Sequence, residues 1–99
     1  MQALAPGRLR LEATVSSDTP AAVEPVLRQR FPAGAVRRDG DDLVVRADVE
    51  GTDAKAANRE LLSELRRAEK RTRLRARWTL EDGTELRFFD YVLKRTVPP

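Results

Sequence analysis

The chain has no cysteine and no histidine. The first absence excludes disulfides, zinc–thiolate sites, iron–sulfur clusters and thiol nucleophiles. The second removes the commonest general base and the commonest transition-metal ligand. The longest apolar runs are a few residues, far short of the ~20 needed to span a bilayer. The N-terminus lacks the charged-then-apolar pattern of a signal segment. No two glycines stand at the spacing of a phosphate-binding loop or of a Gly-x-x-Gly clamp. Aromatics make up 5% of the residues, and the aromatic-rich signature of RNA-recognition motifs is missing. These absences point to one soluble, cytoplasmic domain of 99 residues, with no membrane contact and no cofactor or metal expected.

What the chain does have is charge. Nineteen Lys and Arg against sixteen Asp and Glu give a net +3, and sixteen of the positives are Arg. The average hides a strong asymmetry. Residues 1–54 carry seven Arg and nine acids, a balance of −2; residues 55–77 carry nine basic and three acidic groups, +6; residues 78–99 carry three basic and four acidic groups, −1. A +6 block attracts phosphate backbones or acidic partners. The alternative is a solvated helix and strand in a chain whose basic residues are biased to Arg.

Residues 1–7 read as a frayed lead-in, 8–95 as the folded domain and 96–99 as a frayed tail. Arg8–Val15 alternates, with Leu9, Leu11, Ala13 and Val15 on one face, as in a half-buried strand. Ser17-Asp18-Thr19-Pro20 is a helix start, and Val23, Val26, Leu27 and Phe31 form the apolar side of that helix. Pro25 inside it costs ~3 kcal/mol unless the helix begins late or bends. Ala35–Arg38 and Leu43–Val49 form a hairpin about Asp39-Gly40-Asp41-Asp42. Thr52 or Asp53 caps a second helix reaching about Lys70, with a stripe of Ala54, Ala57, Leu61, Leu65 and Ala68 widened by Leu62. Thr72–Leu80 and Thr84–Leu93 close a second hairpin at Glu81-Asp82-Gly83. The order βαββαββ predicts an α+β, ferredoxin-like βαββαβ sandwich with one extra C-terminal antiparallel strand and both helices on one sheet face.

The other face stays open, and alternation says what stands on it. Closing the last turn at Gly83 pairs Arg77 with Arg87, Arg75 with Phe89 and Arg73 with Tyr91, with Arg71 continuing the row. Arg8, Arg10 and Arg46 join from other strands. Arg71, Arg73, Arg75, Arg77, Arg87, Phe89 and Tyr91 are therefore the candidate nucleic-acid-binding residues, guanidinium groups for phosphates and rings for bases. Phe89, Tyr91 and Leu93 also form a candidate seam for a homodimer or a partner protein, and the remaining alternative is a simple solvent face. Asn58, on or beside the apolar helix stripe, is either a locally hydrogen-bonded boundary residue or part of that interface. The opposed Arg77 and Arg87 need Glu85, Asp90 or a bound anion between them. Asp90 falls on the core-side register, which predicts an arginine contact or a β-bulge at Phe88–Asp90.

Catalysis finds little support in the residues. Asp39, Asp41 and Asp42 lack the spacing and distal Glu of a calcium loop. Ser16, Ser17 and Ser63 have no base beside them in sequence, and the three lysines show no sign of a desolvated site. Enzyme activity is not expected.

The stretch from Arg8 to about Lys70 resembles the small dimerisation subunit of the KEOPS tRNA-modifying complex. The likeness rests on the hairpin Arg38-Asp39-Gly40-Asp41-Asp42-Leu43-Val44-Val45-Arg46 and the acid-started helix after it. Asp53, Ser63 and Leu65 fall in step with that family's second helix; Asn58 stands where an Arg is expected and Leu62 where an Asn is expected. The hairpin from Arg71 onward has no counterpart there. The resemblance implies a non-catalytic homodimer that bridges a catalytic subunit and helps hold tRNA. The expected function is thus a non-enzymatic accessory or dimerisation subunit, with RNA as a partner of the Arg-rich face. The alternative is a homo-oligomeric protein-interaction module with no nucleic-acid role.

Overall fold

A computed structural model describes residues 7–98. The expected lead-in, apart from Gly7, and Pro99 of the expected tail lie outside the described residues. The elements are β1 (Arg8–Ser16), α1 (Pro20–Arg30), β2 (Ala35–Asp39), β3 (Asp42–Glu50), α2 (Ala54–Ala68), β4 (Arg73–Thr79), β5 (Glu85–Phe89) and β6 (Val92–Val97). They make an α+β fold: one six-stranded sheet in the order β2-β3-β1-β4-β5-β6, antiparallel at every junction, with two helices.

Alternation sorts the sheet into two faces. Leu9, Leu11, Ala13 and Val15 of β1, Leu43 and Val45 of β3, and Leu74, Ala76 and Trp78 of β4 are buried against Val23 and Leu27 of α1 and Leu61, Leu62 and Leu65 of α2. Asp53 caps α2, its Oδ1 accepting from the Ala56 N–H at 3.0 Å. Arg66 and Arg67 in the last turn complement the helix dipole. Ala68, expected in the apolar stripe, is exposed because α2 has already passed the edge of the core.

Pro25 neither delays nor ends α1, which starts at Pro20 and runs through it. Pro25 and Ala21, whose carbonyl it leaves without a donor, are both exposed, so the lost bond falls on the solvent side.

The C-terminal part departs from expectation. Thr84–Leu93 is not one strand, because the chain turns at Asp90-Tyr91 and returns as β6. Two strands therefore extend the sheet, not one, and β6 continues through Val97, past the expected boundary at 95. Asp90 makes the turn at φ 55°, left-handed backbone that Asp tolerates better than most residues. The expected arginine contact is present, with Asp90 Oδ2 accepting from Arg73 Nε at 2.8 Å. A bulge also occurs, but between β5 and β6: Arg87 faces Arg95 and Phe88 faces Leu93, which leaves Lys94 unopposed.

Candidate functional site

The face away from the helices is a lattice of charged side chains whose rows are fixed by strand register. One row runs Ala35, Arg46, Glu12, Arg77, Arg87, Arg95 from β2 to β6. The next runs Arg37, Val44, Thr14, Arg75, Phe89, Val92. Adjacent strands lie about 4.8 Å apart, so arginines on β4, β5 and β6 stand side by side. Between the rows a shallow concavity of about 580 Å³ is lined by Glu12, Thr14, Arg37, Arg46, Arg75, Arg77 and Arg87.

The pairing expected about Gly83 holds: Arg75 faces Phe89 and Arg77 faces Arg87. The like charges are held together by carboxylates. Glu12 Oε2 accepts from an Arg77 Nη at 2.6 Å, and Glu85 lies 3.9 Å from Arg77 and 3.8 Å from Arg87. Among the described residues, Arg37, Arg46, Arg75 and Arg95 make no ion pair. Each guanidinium carries five donors in a planar fork suited to phosphate or carboxylate oxygens.

Other expected residues fall elsewhere. Tyr91 does not face Arg73; the turn carries it to the helix side, where its hydroxyl is 3.2 Å from Ser63 Oγ and its ring lies under Arg66 at 5.3 Å. Arg73 lies instead over the Phe89 ring at 5.0 Å, with Arg75 at 5.3 Å. Phe89 thus supports two guanidinium groups and offers no bare ring for a base. Arg71 precedes β4, in the connection from α2, 3.7 Å from Asp18. Leu93 points to the helix side opposite Phe88 and is 44% exposed.

Asn58 lies inside the domain, not on its surface. It is 1% exposed and clips three elements together, its Oδ1 accepting from Trp78 Nε1 at 3.1 Å and its Nδ2 donating to the Asp90 carbonyl at 2.7 Å. Asp90 is the matching hub: Oδ1 accepts from the Leu74 N–H at 2.9 Å and the Asp90 N–H donates to the Leu74 carbonyl at 2.7 Å. Arg66 stands 3.5 Å from its carboxylate.

Arg37, Arg95 and Glu12 belong to the site but were not in the candidate set. A two-residue turn at Gly40-Asp41 would have placed Arg37 opposite Val44, and alternation already put Glu12 beside Arg10. Arg95 had no signal, because its row depends on the turn at Asp90. No family model matches the chain, and neither the curated proteins nor the solved structures contain a match.

Proposed function

We propose that the chain is a non-enzymatic binding module of the ferredoxin-like class whose open sheet face holds the phosphate backbone of RNA. The class is supported by the strand order β4-β1-β3-β2 with helices after β1 and β3, to which β5 and β6 add an edge. The observation that carries the function is the transverse row Arg46, Arg77, Arg87, Arg95 with Arg37 and Arg75 beside it: six arginines against Glu12 within the two rows. Such a density of guanidinium groups repels itself until an anion arrives. An accessory role in a larger assembly agrees with the KEOPS-like stretch. It also agrees with the exposed apolar tip of Tyr91, Val92 and Leu93, 43%, 56% and 44% accessible, which suits a protein partner.

The test uses the unpaired arginines, which can be changed without breaking an internal contact. An Arg37→Glu/Arg46→Glu/Arg95→Glu variant should keep its thermal transition and lose at least tenfold in affinity for RNA by fluorescence anisotropy. For four to six phosphate contacts the wild-type affinity should fall with a log–log salt slope of about −3 to −4, roughly 60- to 250-fold between 50 and 200 mM salt. Unchanged binding by the triple variant, or a flat salt response, removes the reading.

A further inference from the structure

Resting on that reading, we infer that the face is a track for a single phosphodiester chain, laid across the strands with its bases turned away from the sheet. The arginines divide into those already occupied and those left open. Outside the two central rows, each strand arginine of this face is held by a carboxylate: Arg8 by Glu50 at 3.8 Å, Arg10 by Asp48 at 3.1 Å and Arg73 by Asp90 at 2.8 Å. Inside them, among the described residues, Arg37, Arg46, Arg75 and Arg95 are free of ion pairs.

Carboxylates also border both long sides of this stripe. Asp48 and Glu85 stand in the row on one side with the already paired Arg10, Asp39 and Asp42 in the row on the other with the already paired Arg73. Rows on one face are about 7 Å apart, two residues along a strand, and the sheet is roughly 24 Å across at five strand spacings. The available charge is therefore a band about one phosphate chain wide, running perpendicular to the strands. A second phosphate strand, as in a duplex, would lie over Asp39 and Asp42, where like charges repel it, or over Asp48 and Glu85, whose arginines are already held and offer it no open donor.

The bases turn outward because, among the described residues, the face offers no open aromatic ring to stack them. The Phe89 ring is covered by Arg73 and Arg75, and Tyr91 stands on the helix side. Aromatic platforms are what draw bases down in other single-strand binders. Their absence predicts backbone binding with little base preference.

The experiment compares fluorescein-labelled oligouridine of fifteen nucleotides with a fifteen-base-pair RNA duplex, by anisotropy with the whole chain at 50 mM salt. The single strand should bind at least tenfold tighter, and oligo-U, oligo-A and oligo-C should agree within about threefold. In an Asp42→Asn/Asp48→Asn variant the single-strand preference should shrink by threefold or more as duplex affinity rises. Equal or tighter duplex binding overturns the single-chain track while leaving RNA binding standing. So does a tenfold spread among the homopolymers. Failure of both RNAs to bind removes the track and the proposed function together. Tighter binding of a poly-glutamate peptide of equal charge also removes both, in favour of an acidic protein.

Discussion

The two groups of arginines on this domain are put to opposite uses. Around Asp90, Arg73 and Arg66 are bound to one carboxylate that also takes the Leu74 N–H, and the cluster fastens the tip of the β5–β6 hairpin to β4 and α2. Across the middle of the sheet, Arg37, Arg46, Arg75 and Arg95 make no ion pair among the described residues, Arg75 resting only on the Phe89 ring. The residue type is the same and the difference is where the carboxylates are. A guanidinium bound by Asp90 belongs to the fold, whereas one left open keeps its donors for solvent or, on the proposed reading, for an external anion.

Three changes press on that contrast. The largest effect is expected from Asp90→Ala. The carboxylate is 16% exposed, and its loss strands the Leu74 N–H and leaves two guanidinium groups without their partner. Unfolding free energy should drop by about 2–4 kcal/mol in urea titration. Removing an open-row arginine should cost no more than about 0.5 kcal/mol; similar losses from both would erase the distinction between the two groups.

Glu12→Gln tests it from the other side. Glu12 is the carboxylate bound to Arg77 within the open rows, both side chains about one-third exposed. Releasing Arg77 should raise RNA affinity roughly three- to tenfold, as one more phosphate contact would. Stability should fall by no more than about 1 kcal/mol, since the pair is partly solvated. Weaker RNA binding would mean that Glu12 positions Arg77 for its ligand.

The smallest effect is in acid. Glu24 is held below the ordinary 4.5 by hydrogen bonds from Arg38 and Arg28, and Glu69 by the Arg71 N–H and the Ser17 hydroxyl. Asp82 is lowered by the Thr84 N–H. A carboxylate lowered on folding takes up a proton when the chain unfolds, so its stabilisation is whole above its unfolded pKa and is lost as pH falls through the folded one. The melting temperature should therefore hold from pH 7 to about 5 and decline below 4.5. An Arg46→Ala variant should trace the same curve, because Arg46 shares none of these contacts; a shifted acid limb would show that the open arginines also serve the fold.

The sequence was most legible where local signals act alone. Gly83 in its turn aligned β4 with β5, and alternation then put Arg75 against Phe89 and Arg77 against Arg87. It was opaque at Asp90-Tyr91, which has neither Gly nor Asn. That turn is held by Leu74, Arg73 and Asn58, residues 16, 17 and 32 positions away in sequence. A turn fixed by distant partners leaves no local mark, so β6, the row position of Arg95 and the side taken by Tyr91 were hidden together. Asn58 was misplaced for the same reason, as both of its hydrogen-bond partners lie far along the chain.

The unopposed Lys94 has one more consequence. Among the described residues β6 is an outer strand with an unpaired edge, and Val92 and Leu93, beside Tyr91 in the turn, make its start apolar, a combination that invites other chains to add on. Lys94 breaks the regular spacing directly after those three residues, and Arg95 adds a second charge. A strand approaching this edge meets only two residues of regular, apolar register, Val92 and Leu93, before the spacing fails. The irregular spacing and the two charges therefore make this edge a poor template for a growing fibre, even with an exposed apolar tip beside it.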